Sequence, residues 1–171
     1  VEALIPPRRG RRHVLRIVRD LLALRPQGRG TDLGLALDTL RHLLHRRAVV
    51  VLISDFQGSA RPALAGRALK AAARRHDLIA VTVADPLDQE LPEAGLLWLE
   101  DAEGGGRRLV DSSDRAWRAA QAAQAAADAA ADAQALREAG IDRLLARTDE
   151  DYVPSLTAFF RRRALRLRRG R

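Results

Sequence analysis

The sequence predicts an α/β fold, an open and mostly parallel sheet with helices on both faces. Three observations predict it. Two short apolar runs rich in Val, Ile and Leu, Ala48 to Ser54 and Leu78 to Val83, have the continuous character of buried parallel strands. Stretches with helical periodicity alternate with them. Each run gives way to an Asp at a turn, Asp55 after the first and Asp85-Pro86 after the second.

The elements come in this order. Val1 to Ile5 reads as the tail of a strand, and Pro6-Pro7 and Gly10 punctuate the chain after it. From His13 to Leu24 the apolar positions Val14, Leu15, Ile17, Val18, Leu21 and Leu22 suit an amphipathic helix, which Pro26 through Gly30 ends. Thr31 or Asp32 can cap a second helix reaching about Arg46, with Leu33, Leu37, Leu40 and Leu44 on one face. Pro62 to Arg75 is helical. Leu96 to Glu100 and Arg107 to Val110 flank Gly104-Gly105-Gly106, which signals a hairpin.

A long helix spans Ser112 to Ala139, capped by Ser112 or Ser113 and stopped by Gly140. Its Ala-rich middle is expected to be mostly exposed, because small side chains bury little area. Ile141 to Ala146 is a third strand candidate. Tyr152 to Leu167 closes the chain as a helix with Leu156, Phe159 and Phe160 facing inward. No internal repeat or long linker divides residues 1–171, so one domain is expected.

Composition narrows the function classes. The chain has 171 residues, 47% hydrophobic and 30% charged, which suits a soluble globular domain. No apolar run is long enough to span a bilayer, and the cytoplasm is the expected location. Cys is absent, which excludes disulfides and thiolate metal sites. Met is absent even at position 1, so the sequence is expected to be the later part of a longer chain.

Net charge is +8, with Arg concentrated at Arg8-Arg9, Arg11-Arg12 and the run from Arg161 to Arg171. Nucleic acid or an acidic partner is therefore the alternative ligand class. Aromatics at 4% supply a poor stacking platform for single strands. The plainer expectation for the terminal run is a solvated helix end.

Several residues could carry chemistry. Gly28-Arg29-Gly30-Thr31-Asp32-Leu33 and Ile53-Ser54-Asp55-Phe56 each put a side-chain oxygen at the edge of an element. Asp55 stands at the carboxyl end of a parallel strand, where open α/β sheets bind ligands. Thr31 and Asp55 are candidate ligands for a hard cation such as Mg²⁺, which takes oxygen donors. Their bland roles are a helix cap and a turn residue. Ser54, next to Asp55, would point to the opposite face of the strand.

His42 and His45 lie three apart with no third ligand at a suggestive spacing. His76-Asp77 lacks a nucleophile motif and reads as a turn that satisfies backbone groups. Asp101, Glu103 and Asp111 around the hairpin are expected to be solvated, although paired carboxylates can do acid/base work. The glycines there lack the Lys and strand-to-helix context of a phosphate loop. A hydrolase reading finds no nucleophile and no complete metal set. No catalytic residue is expected.

The run Gly30-Thr31-Asp32-Leu33-Gly34-Leu35-Ala36-Leu37, followed by Val50-Val51-Leu52-Ile53-Ser54-Asp55-Phe56, resembles the second half of a von Willebrand factor A domain. In that family a Thr and a later Asp join an earlier Asp-x-Ser-x-Ser motif in a metal-ion-dependent adhesion site.

More specifically, the chain resembles the bacterial domain of unknown function 58. The resemblance rests on Ile5-Pro6-Pro7-Arg8-Arg9-Gly10, Ser54-Asp55-Phe56, Arg75-His76-Asp77, Asp85-Pro86, Glu90-Leu91-Pro92-Glu93-Ala94-Gly95 and Thr148-Asp149-Glu150-Asp151-Tyr152. It implies a non-catalytic adaptor that partners a MoxR-type AAA+ ATPase in chaperone-like complex assembly. It also implies that Thr31 and Asp55 belong to the adhesion site. Asp-x-Ser-x-Ser is absent from these residues, so the site is only partly present. Mg²⁺ is expected in the complete protein and not in this chain alone. The family's first strands would precede Val1, leaving the strand at 48–54 on an edge and the chain less stable than the complete domain.

Overall fold

The computed structural model describes residues 2–25, 30–101, 103 and 106–169. Val1, Pro26, Gly28, Arg29, Gly104, Gly105, Gly170 and Arg171 therefore lie outside the described residues. With them go the first residue of the expected N-terminal strand, most of the Pro- and Gly-bearing run before Thr31, the centre of the hairpin turn and the end of the Arg run.

The α/β expectation holds. Three parallel strands, β1 (Val49–Ser54), β2 (Asp77–Ala84) and β5 (Asp142–Arg147), form a sheet in the order β1-β2-β5. The register pairs Val50 with Leu78 and Val81 with Leu144. α2 (Leu33–Leu43), α3 (Arg67–Arg75), α5 (Arg115–Glu138) and α6 (Tyr152–Arg169) flank the sheet, α4 (Pro86–Gln89) is a single turn against α5, and α1 (Arg11–Ala23) buries none of its residues, leaving Val14, Leu15, Val18, Leu21 and Leu22 exposed. Between β2 and α5, β3 (Leu96–Glu100) and β4 (Arg107–Asp111) make the expected antiparallel hairpin. No helix among the described residues is long and apolar enough to cross a membrane.

The main core fills one face of the sheet. Leu33 and Leu37 of α2, Leu69 of α3 and Leu136 of α5 converge there on Val50, Leu78 and Ala80. On the opposite face α6 contributes Phe159 against Ile79 and Leu144, with Leu156 beside it.

Several local expectations need correction. Residues 2–9 form no strand, and Pro6 and Pro7, lacking N–H groups, suit that outcome. The helix expected from Pro62 is instead a 3-10 segment, Gly58–Ala65, followed by α3 after Gly66. Pro62 cannot donate within an α-helical turn, so the regular helix restarts beyond it. The Asp85-Pro86 turn opens a one-turn helix, with Pro86 at its first position and Leu87 N–H donating to Asp85 Oδ1 at 2.9 Å.

α2 is capped by Asp32, which accepts from Leu35 N–H at 2.8 Å, and it ends at Leu43 rather than near Arg46. α5 is capped by Asp114 and not by Ser112 or Ser113. Ser112 is fully buried and pins the hairpin instead, accepting from Ala94 N–H and donating to Gly95 C=O. Most of α5 is exposed as expected, but Asp132, Ala133 and Leu136 are buried. Gly140, with φ 71°, stops it in a conformation that suits Gly.

Phe160 is 44% exposed rather than inward. Consecutive helix positions are turned about 100° apart, so a narrow buried stripe takes Phe159 and leaves its neighbour out. The run at 48–54 is a strand, but it is not buried on both sides. Val50 is 8% exposed, while Val49 and Ile53 are 64% and 71% exposed. β1 and β5 are the two edge strands, and α6 packs mainly on β5.

Candidate functional site

The carboxyl ends of β1 and β2 gather the sequence motifs. After β1 the chain turns sharply at Ser54-Asp55-Phe56. Phe56 takes φ 56°, which bulky residues rarely adopt, and its ring is completely buried in the core. Burial of that ring offsets the backbone strain and anchors the loop. Phe56 N–H donates to Ser54 Oγ at 3.0 Å, and Gln57 N–H donates to Asp55 Oδ1 at 3.1 Å. The turn also brings Ser54 Oγ to 3.5 Å from Asp55 Oδ1, so the two side chains are not segregated as strict alternation would require.

Thr31 lies in a second cluster, with Ser59 and Glu103. Thr31 N–H donates to Ser59 Oγ at 2.7 Å, and Ser59 Oγ is 2.9 Å from Thr31 C=O. Glu103 reaches across from the hairpin to accept from Ser59 N–H at 2.8 Å and from Ser59 Oγ at 2.9 Å. These donors, with Thr31 adding its own, hold the Glu103 carboxyl below its ordinary value. Gly58 makes the approach possible, since a Cβ there would collide with that carboxylate. Glu103 is thus a bound carboxylate rather than a solvated hairpin tip.

Thr31 and Asp55 consequently have different partners. Together they offer two of the about six oxygens that Mg²⁺ takes. Among the described residues no group of three or more His, Cys, Asp or Glu side chains is arranged to hold a metal, the His42 and His45 pair included.

Asp55 also borders a cleft of about 500 Å³ between the strand ends, the 3-10 segment and α5. Inside it Arg61 pairs with Asp128 at 2.7 Å and with Asp132 at 3.2 Å. Burial raises the Asp132 carboxyl above its ordinary value, and the Arg61 charge opposes that rise. Arg143 extends its guanidinium into the same cleft and donates to Thr82 Oγ1 at 2.9 Å. At the rim Thr148 Oγ1 donates to Asp85 Oδ2 at 2.8 Å, which ties the loops after β2 and β5 together. Asp101 and Asp111 make local turns, accepting from the N–H groups of Glu103 and Ser113.

Part of the terminal Arg run is structural. Arg163 pairs with both Asp77 and Asp142, and Arg166 adds a 2.9 Å pair with Asp142. The sequence carried no signal for these long-range pairs, nor for Glu103 and Ser59, which lie 44 residues apart.

The family model described as "Protein of unknown function DUF58" matches residues 1–131. The chain belongs to this family. Uncharacterized proteins of Mycobacterium bovis and Mycobacterium tuberculosis are 39% identical to it over 157 residues, which is 91% of the chain and 48% of each relative. The chain thus spans about half the length of these curated relatives. An uncharacterized protein of Mycobacterium avium is 37% identical over 164 residues, 93% of both chains. No solved structure matches the chain.

Proposed function

We propose that this chain is a non-catalytic protein-interaction domain of the von Willebrand factor A type. It docks through the carboxyl edge of its sheet, around Thr31, Ser59 and Asp55. Its partner is a MoxR-type AAA+ ATPase, and the pair acts in the cytoplasm in assembling other complexes. The observation that carries the docking surface is the seat of Glu103, where hydroxyl and amide donors at this edge grip a carboxylate. An acidic side chain of a partner that displaces Glu103 meets the same donors there. The ATPase and the adaptor role rest on the family resemblance, and fold alone does not fix function. In the complete protein Mg²⁺ joins Thr31 and Asp55 with oxygens from further residues.

The test is binding of a purified MoxR-type ATPase from the same genome to the complete parent protein, with Mg²⁺ uptake followed in parallel by calorimetry. Asp55→Ala and Thr31→Val are each expected to weaken the ATPase about ten-fold or more and to abolish Mg²⁺ uptake. Full ATPase affinity in both variants removes the docking surface. Failure of the parent to bind the ATPase removes the partner.

A further inference from the structure

On the other side of the molecule, α2 and α3 splay over the amino ends of β1 and β2 and enclose a cleft of about 490 Å³. Small-ligand sites commonly measure about 300–1,000 Å³. Leu37, Leu40, Val50 and Leu78 make its apolar wall, and Ala68, Ala71 and Ala72 line it along α3.

His76 lines one end of this cleft and is only 3% exposed. Its backbone N–H donates to Ala72 C=O, but its buried Nδ1 has no hydrogen-bond partner among the described residues. The turn expected at His76-Asp77 is present and its backbone groups are bonded, His76 N–H to Ala72 C=O and Asp77 N–H to Ala48 C=O, but the imidazole itself bonds no group among the described residues. Buried polar side chains almost always have partners, and an orphan calls for one.

The charge around the cleft indicates which. Arg41, Arg67 and Arg75 line it against a single carboxylate, Asp38, which sits 3.7 Å from Arg41 with both side chains exposed. Such an exposed pair is weak. Arg75 is held at the His76 end by its 3.2 Å hydrogen bond to His45 C=O and keeps further N–H groups free. From Arg67 to Arg75 the nine residues of α3 run about 12 Å. The site is thus elongated and apolar along its walls, with Arg75 beside the orphaned His76 ring at one end and Arg67 at the other.

We propose that this cleft binds a medium-chain carboxylate. Its anionic head pairs with the His76 imidazole and the Arg75 guanidinium, and its hydrocarbon lies along Ala68, Ala71 and Ala72. Guanidinium–carboxylate hydrogen bonds are among the strong ones, which sets the preference for an anion. A free fatty acid and the acyl end of an oxidised lipid share this chemistry.

Decanoate is the probe, titrated into isotope-labelled protein with the His76 ring resonances followed by NMR and affinity measured by calorimetry. The expected result is a saturable shift of His76, with decanol and decyltrimethylammonium at least ten-fold weaker. Arg75→Gln is expected to weaken decanoate about ten-fold. Ala71→Phe fills the cleft from the exposed side of α3 and is expected to abolish binding with helical content unchanged. The assignment is overturned if decanoate does not bind, if it shifts Val51 and Ile53 on the opposite sheet face but not His76, or if Ala71→Phe binds it as well as the parent does. Competition by an oxidised phospholipid bearing a terminal carboxylate, compared with free decanoate, separates the two sources.

Discussion

The two faces of the parallel sheet are chemically alike and structurally unlike. Under α2, α3 and α5 Val50, Leu78 and Ala80 are closed off by apolar side chains, and only towards the carboxyl ends does a polar contact, Thr82 with Arg143, enter that face. On the α6 face only Ile79 and Leu144 are closed off, by Phe159, while Val49, Val51 and Ile53 of β1 stay exposed. A strand's residues record which surroundings it tolerates. How much of it is covered depends on where a helix is anchored, and α6 is anchored over β5.

The comparison can be broken or sharpened by mutation. The largest effect is expected at Phe56, the anchor of the loop beneath the packed face. Phe56→Ala should cost about 3–5 kcal/mol, measured by urea denaturation. A loss under 1 kcal/mol would mean that the ring does not hold the loop. Next is Arg163, which fixes α6. Arg163→Ala should cost about 2 kcal/mol, less than a fully buried pair, because Asp77 and Asp142 remain about 30% exposed. If α6 is correctly placed, amide exchange should speed up along α6 and β5 and not in α2.

The hairpin responds to acid. The Glu103 carboxyl lies below its ordinary 4.5, so its contact with Ser59 is complete above that value and is lost as pH falls through the lowered one. Protection of the β3 and β4 amides, taken relative to an unstructured chain at the same pH, should therefore hold above about 4.5 and fall below it, and Glu103→Gln should show the lowered protection already above that value. The smallest effect is expected on the bare face, where Ile53→Thr should change stability by about 0.5 kcal/mol or less. The matching change on the packed face, Val50→Thr, should cost more than 1 kcal/mol. Equal costs would erase the distinction between the faces.

The sequence made the order of elements legible because helical and strand periods differ and because Gly and Pro mark the breaks. Gly140 and the Asp85-Pro86 step are read in one dimension and act in one dimension. The caps were less legible. Ser112, Ser113 and Asp114 are all competent N-cap residues, and burial of Ser112 under the hairpin decides among them.

The site was legible only where it is local. Asp55 reads from the strand that precedes it, but the partners of Thr31 come from Ser59 and Glu103, distant in sequence. Glu103 looks like any acidic loop residue until the fold carries it to Gly58. His76 is the turn residue it looks like, but nothing in the sequence says that its ring is buried without a hydrogen bond among the described residues.

Arg163 has a consequence for the order of events during synthesis. Asp77 and Asp142 approach one another as β2 and β5 pair, and both carboxylates end on the same guanidinium. Arg163 leaves the ribosome 21 residues after Asp142. Until it arrives, the amino end of that strand pair holds two like charges with no counter-ion, and the last strand is held at a disadvantage. α6 therefore does more than cover β5, because one guanidinium from it neutralises the amino ends of two neighbouring strands.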